Sequence, residues 1–98
     1  MILEHAIVDI PSGQQDAFEA AFAEAKTVLA GASGCRSISL RRGIESPSRY
    51  LLLVEWDALD DHMIGFRESE RFTQWRALIG PFFDGPPSVD HYEPTIHS

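Results

Sequence analysis

Residues 49–56 read RYLLLVEW, and this stretch decides the fold that we predict for the chain. Successive side chains of a β-strand point to opposite faces of its sheet. One face of this strand carries Tyr50, Leu52, Val54 and Trp56. Leu51 and Leu53 make the other face apolar as well. A strand that is apolar on both faces needs a cover on each side of the sheet.

The remaining sequence predicts three more strands and two helical regions. Apolar residues at helical spacing predict a helix after residues 11–13 (PSG) and a second helical region after Asp57. The second region is interrupted at Ser69, a typical helix N-cap, and it ends at Gly80 because a proline follows. The other strands are predicted at residues 2–9, 35–42 and 88–93.

The order βαββαβ over residues 1–98 predicts a single α+β domain of ferredoxin-like topology. Its four-stranded antiparallel sheet would carry both helices on one face. The other face would expose Leu and Val side chains over an area large enough to mark an interface. We therefore expect a homodimer in which the open sheet faces of two subunits stack on each other.

Charge and composition exclude several classes of function. The net charge is −7 and the eight Lys and Arg are scattered, apart from Arg41 and Arg42, so we expect neither nucleic acid nor an anionic membrane as a partner. Cys35 is the single cysteine, which excludes a disulfide framework. The N-terminus has no basic region before an apolar stretch, and no apolar run reaches the roughly 20 residues of a membrane span. We expect a cytoplasmic protein.

Residues 50–83 read YLLLVEWDALDDHMIGFRESERFTQWRALIGPFF and resemble the antibiotic biosynthesis monooxygenase family. The shared features are an apolar strand that ends in Trp56, an acidic helix start, a His on that helix, and a Ser and a Phe at a short helix. The resemblance implies a dimeric α+β barrel with a pocket between the sheet and the helices of each subunit. It leaves the chemistry open. Some members oxygenate polycyclic aromatics with O2 and no cofactor, a branch degrades haem, and others act on small signalling molecules.

The haem-degrading branch uses an Asn on the first strand, and a Trp and a His in the second helical region. By spacing, those positions fall on Ala6, Phe66 and Arg76, and none of the three matches. Trp75 lies one residue from the His position and cannot be an axial ligand. We therefore do not expect haem degradation.

His62 is the first candidate for catalysis. It shares a predicted helix face with Leu59, Met63 and Phe66, so its imidazole should point toward the sheet. An imidazole with a pKa near neutrality can take a phenolic or enolic proton. The same position also suits a core histidine with one satisfied hydrogen bond, and the sequence leaves both interpretations open.

Two further histidines lie on predicted strands. His91 is the second candidate for catalysis, and Tyr92 beside it must face the other side of the sheet, so only one of them can line a pocket. His5 and Tyr92 are candidates for substrate binding. Any of the three could instead be an interface residue.

Five aromatic residues could form a flat apolar cavity for a fused-ring substrate. They are Trp56, Phe66, Phe72, Trp75 and Phe82. The same spacing is typical of a packed core, and a core residue can also be a pocket wall. Arg67 and Arg76 could hold a carboxylate or a phenolate, or they could lie on a solvated helix face.

We expect neither a metal nor an organic cofactor. Asp60, Asp61 and His62 are consecutive, and consecutive helical side chains diverge by about 100°, so they cannot converge on one ion. No glycine-rich nucleotide loop and no serine nucleophile elbow is present.

Three functions remain open. The first is a cofactor-independent monooxygenase acting on a small or polycyclic aromatic such as a hydroquinone or a phenol, where a base removes a proton and the anion reduces O2. The second is a non-catalytic small-molecule-binding or stress-response dimer on the same barrel. The third is an isomerase or lyase that uses the same His base without O2. Oxygen consumption separates the first from the others.

Overall fold

Four strands and two α-helices account for most of the chain, and the computed structural model describes all residues from 1 to 98. The strands are β1 (Ile2–Asp9), β2 (Cys35–Arg42), β3 (Arg49–Trp56) and β4 (Ser88–Tyr92), and the helices are α1 (Gln15–Ala30) and α2 (Glu70–Ile79). A π-helical segment (Asp61–Phe66) precedes α2, and a 3-10 turn (Gly80–Phe82) follows it. The predicted βαββαβ order is confirmed, although β4 ends one residue earlier than we predicted.

The strands form one antiparallel sheet in the order β2-β3-β1-β4, so β1 and β3 are its central strands. Leu52 of β3 lies opposite Ala6 of β1, and Ala6 in turn lies opposite Val89 of β4. These side chains share the face that the helices cover. The predicted ferredoxin-like fold, with helices on one face of an open sheet, is therefore confirmed.

The main core lies between that face and the helices. Tyr50, Val54 and Trp56 are almost completely buried, because α1 and α2 pack their apolar sides over β3. The side chains of α1 and α2 that complete this core are Phe18, Phe22, Ala25, Leu29, Trp75 and Ile79. Their spacing follows the three-to-four residue period of an amphipathic helix.

The opposite side of the sheet, which we call the open face, has no helix over it. Its apolar side chains are Leu3, Ile7, Leu51, Leu53 and Tyr92, and the first four are half-buried. The prediction that both faces of β3 are apolar is therefore confirmed. None of the helices combines the length and the apolar character needed to span a bilayer.

The π-helical segment brings His62 and Phe66 over the sheet. Its wide turn is closed by a hydrogen bond from the Arg67 N–H to the His62 carbonyl, five residues back. The α-helical spacing that we used does not carry across this turn, and the expectation that Leu59 shares the buried face is wrong, since Leu59 is 45% exposed. Ser69 ends the segment and is the predicted N-cap of α2, accepting a hydrogen bond from the Phe72 N–H.

Candidate functional site

A cavity of about 380 Å³ lies between the helix-covered face of the sheet and the helices. Ala6, Val8 and Leu52 form its floor on the two central strands. The π-helical segment and α2 form its roof through His62, Phe66, Phe72, Trp75 and Ile79. Most of the lining is apolar, which suits a flat hydrophobic ligand.

Three of the five aromatic residues that we predicted for substrate binding line this cavity, namely Phe66, Phe72 and Trp75. The other two do not. Trp56 is fully buried behind His62, and Phe82 contacts Phe18 with ring centroids 6.0 Å apart. The next residue, Phe83, lines the cavity in place of Phe82, because the 3-10 turn rotates the chain before β4.

Glu4 is a buried acid at one end of the cavity. It is 6% exposed, and it lies on the helix-covered face of β1 because that face carries the even-numbered residues of the strand. Its Oε1 accepts a hydrogen bond from the indole N–H of Trp56 at 3.0 Å. Oε2 accepts no hydrogen bond. Because no fully buried side-chain nitrogen or oxygen in the chain lacks a hydrogen-bond partner, Oε2 is not fully buried. This free oxygen can meet a ligand in the cavity that Glu4 lines.

Burial raises the pKa of the Glu4 carboxyl above its ordinary value, because desolvation disfavours the charged form. The hydrogen bond from Trp56 and the positive charge of Arg67 act in the opposite direction and are weaker. A raised pKa brings the proton affinity of a carboxylate closer to that needed by a general base or acid at neutral pH.

His62 lies beside Glu4 and lines the cavity. Its ring stacks on Trp56, with centroids 5.1 Å apart and planes 17° apart. Its Nε2 is 3.4 Å from Oε1 of Glu4, and its Nδ1 is 2.8 Å from Nε2 of His91. The structure therefore brings the two predicted catalytic histidines together, and it adds Glu4 to them. We call Glu4, His62 and His91 the acid–histidine cluster.

The His62 side chain is neutral at physiological pH. Burial, with smaller contributions from His91 and Arg67, lowers its pKa from 6.5 to about 4. The pKa of His91 is also lowered, chiefly by desolvation. A neutral His62 that carries its proton on Nε2 points it toward Glu4 and accepts the His91 Nε2–H at Nδ1, which satisfies both neighbours.

His5 and Tyr92, which we predicted to bind substrate, do not lie at this cavity. Both side chains lie on the open face, where their rings meet edge to face with centroids 5.7 Å apart. The alternation of strand side chains is the reason, since Glu4 and His91 occupy the helix-covered face. His91 lies on the helix-covered face and Tyr92 on the open face, and neither lines the cavity.

Arg67 and Arg76 lie at the mouth of the cavity, because both line it and both are exposed. The guanidinium carbon of each lies about 6 Å from the ring centroid of Phe72, at 6.0 Å for Arg67 and 5.8 Å for Arg76. Arg76 also lies 5.8 Å from the Phe83 ring. Neither arginine lies on a wholly solvated helix face.

Comparison with known proteins places this architecture in a family. The sequence model described as antibiotic biosynthesis monooxygenase matches residues 1–78, which is most of the chain. The chain belongs to the antibiotic biosynthesis monooxygenase family. The resemblance noted in the sequence is thereby confirmed.

Individual proteins and solved structures are similar to this family member over nearly their whole length. The uncharacterized protein YczJ of Bacillus subtilis (strain 168) is 39% identical over 93 residues, covering 95% of this chain and 98% of YczJ. A crystal structure from Bordetella bronchiseptica, named "Putative antibiotic biosynthesis monooxygenase", is 40% identical with a TM-score of 0.93, and the match covers 97% of each chain. The haem degrader MhuD of Mycobacterium tuberculosis shares the fold, with a TM-score of 0.80 at 16% identity over 100% of this chain and 99% of that one.

The three positions that we compared with the haem-degrading branch all lie at the cavity. Ala6, Phe66 and Arg76 line it, and none can ligate iron as a histidine would. His62 is the histidine that lines the cavity, and both of its ring nitrogens have close neighbours in the acid–histidine cluster. These residues do not fit haem as a substrate. No group of three or more His, Cys, Asp or Glu side chains in the chain is arranged to hold a metal ion.

Glu4 is the residue that our sequence reasoning missed. One signal could have found it. In ILEHAIVD, Glu4 shares the strand face of Ala6 and Val8, and the latter two must face the helices if β1 is central. An acid in such a position is buried and needs a partner.

Proposed function

We propose that this protein is a cofactor-independent monooxygenase that oxidises a small or polycyclic aromatic phenol or hydroquinone with O2. The observation that carries the proposal is the acid–histidine cluster, of which Glu4 and His62 line an apolar cavity and His91 contacts His62. Membership of the antibiotic biosynthesis monooxygenase family supports it.

In this proposal the acid–histidine cluster removes the phenolic proton. Oε2 of Glu4 is the first acceptor, because His62 has neighbours at both ring nitrogens. Protonated Glu4 then lies 3.4 Å from Nε2 of His62, and His62 contacts the half-buried His91. For this transfer His62 must first shift to the tautomer that carries its proton on Nδ1 and donates it to His91. Its Nε2 can then accept the proton of Glu4, and a proton can pass toward the surface through the two imidazoles.

The phenolate or enolate that remains is the reductant for O2. One electron passes from the anion to O2, and the resulting organic radical and superoxide combine to form a C–O bond. Proton return and loss of water from this peroxide leave a quinone, so one oxygen atom enters the product and the other leaves as water. The cavity contributes by holding the ring close to the base and by excluding water.

Oxygen uptake tests this function directly. The assay incubates the protein with reduced substrates such as anthrone and naphthohydroquinone, and it measures O2 consumption and the transfer of ¹⁸O from ¹⁸O2 into the quinone. His62→Ala should lower turnover about 10²–10⁴-fold while leaving the fold intact. Full oxygen uptake by a well-folded His62→Ala variant would remove His62 from the mechanism.

A binding protein built on the same cavity is the second candidate function. The pKa of His62, lowered to about 4, favours it, because such an imidazole is a weak proton acceptor at neutral pH. Binding of aromatic ligands without O2 consumption and without change in their mass would support this candidate. An isomerised product of unchanged mass would instead indicate an isomerase.

We further propose that the protein is a homodimer joined through the open face. Leu51 and Leu53 of β3, with Leu3 and Ile7 of β1, form an apolar stripe along the centre of that face. Stacking a second sheet on the stripe removes it from water, which is the dominant favourable contribution to such interfaces. We also propose a cytoplasmic location, for which the single unpaired Cys35 is the support.

A further inference from the structure

Neither of the two arginines at the cavity mouth forms an ion pair within the chain. Arg36, Arg42 and Arg49 each form an ion pair with a carboxylate. Five cations form no ion pair with a carboxylate, and Arg67 and Arg76 are the two of them that line the cavity. Two unpaired cations at the entrance of one apolar cavity, in a chain of net charge −7, call for an anionic partner.

The aromatic contacts of these arginines keep them available. Both guanidinium groups lie near the Phe72 ring, and that ring also lines the cavity. Stacking on an aromatic face holds the planar guanidinium in place and leaves its N–H donors at the edge free. The hydrogen bond that Arg67 makes is to the Met63 sulfur at 3.8 Å, which is a weak acceptor.

The two ends of the cavity differ in charge and in solvation. Glu4 and His62 are buried where they line the cavity, so an extra anion there would be desolvated next to Glu4. The mouth carries two exposed guanidinium groups, which can pair with an anion that stays in contact with water. A ligand with an apolar ring and an anion at one edge therefore has one favourable orientation, with the ring inside and the anion outside.

We propose that Arg67 and Arg76 form a binding site for an anionic group on the substrate, so that this protein acts on aromatic carboxylates. This inference rests on the proposed function, because it names the substrate class of the same cavity. The carboxylate would be held by the two arginines at the mouth, and the group to be deprotonated would lie beside Glu4.

Equilibrium binding of two unreactive probes tests this inference without any oxygen chemistry. The probes are 2-naphthoate and 2-naphthamide, which have the same fused rings and differ in charge, and calorimetry measures the affinity of each. We expect the wild type to bind 2-naphthoate about tenfold or more tightly than 2-naphthamide, since a hydrogen bond to a charged group contributes at least about that factor. The preference should weaken as salt is added, because both arginines are exposed.

Arg67→Gln and Arg76→Gln should each reduce the preference for 2-naphthoate and leave the affinity for 2-naphthamide nearly unchanged. Lys26→Gln is the matched control, because Lys26 is an exposed cation on α1 that forms no ion pair and does not line the cavity. The Lys26→Gln variant should show the same preference for 2-naphthoate over 2-naphthamide as the wild type. Equal wild-type affinities for the two probes, or no binding of either, would overturn the inference. If the wild type prefers 2-naphthoate but consumes no O2 with any substrate, the anion-binding site is supported and the monooxygenase function is refuted.

Discussion

Trp56 donates its indole N–H to Oε1 of Glu4 at 3.0 Å, and this bond joins the two central strands on the helix-covered face. The two residues are diagonal neighbours, since Glu4 lies opposite Val54 and Trp56 lies opposite Ile2. The bond holds the carboxyl in one orientation and leaves Oε2 without a hydrogen bond. A buried acid with only one oxygen occupied is an unusual residue for a core and a suitable one for proton transfer.

Glu4→Gln should separate the chemical role of the carboxyl from its structural role. The amide oxygen can still accept the Trp56 hydrogen bond, so the melting temperature should change little. The amide cannot take a proton, so turnover in the oxygen-uptake assay should fall about 10²–10⁴-fold. Glu24→Gln, on the exposed side of α1, is the control and should behave as the wild type. Unchanged turnover in Glu4→Gln would exclude Glu4 as the proton acceptor.

The depressed pKa of His62 predicts that acid destabilises the wild type. The unfolded His62 takes a proton below pH 6.5, whereas the folded residue stays neutral down to about pH 4. The unfolded state thus binds more protons in this window, and stability falls as the pH falls. Relative to His62→Gln, the wild type should lose about 3 kcal/mol of unfolding free energy between these limits. Urea denaturation at several pH values measures this difference, and parallel curves for the two proteins would mean that His62 titrates normally.

Adjacent leucines on β3 should respond to a charge in different ways. Leu53 lies on the open face, and Leu53→Glu should give a folded monomer because a charge there prevents sheet stacking. Leu52 is 6% exposed and lines the cavity, so Leu52→Glu should unfold the protein. Light scattering and circular dichroism at micromolar concentration distinguish the two results. A wild type that is already monomeric at that concentration would refute the dimer.

Ser69→Ala should destabilise the roof of the cavity by removing the N-cap of α2. The Ser69 hydroxyl accepts a hydrogen bond from the Phe72 N–H and donates one to the Phe66 carbonyl. We expect a loss of about 1 kcal/mol in the free energy of unfolding, measured by urea denaturation. Ser33→Ala is the control, because the exposed Ser33 side chain makes no hydrogen bond in the structure. Equal stability of the two variants would show that the cap contributes nothing.

The sequence predicted the sheet well because strand alternation is a local property. Leu51 and Leu53 indicated a second apolar face of β3, and the structure has that face. The segment before α2 was predicted less well, because the local spacing does not reveal a π-turn. That turn leaves Leu59 exposed and His62 buried, although an α-helix would place them on one side.

The site was predicted in part. Phe72 and Trp75 line the cavity through the α-helical phase of α2, as the sequence predicted, whereas His62 and Phe66 line it from the π-helical segment. The contact between His62 and His91 joins residues 29 positions apart, and the burial of Glu4 depends on the order of the strands in the sheet. Neither follows from local periodicity, so three-dimensional packing was needed to find the acid–histidine cluster.

β4, which carries His91, is an edge strand of only five residues that pairs with β1 alone. Edge strands open locally at a lower free energy than central ones, and their amides exchange with solvent correspondingly sooner. The His62–His91 contact must break each time β4 detaches, while the Glu4–Trp56 bond between the two central strands persists. The His62–His91 contact therefore lasts only as long as β4 stays paired with β1. The Glu4–Trp56 hydrogen bond lasts as long as the protein stays folded.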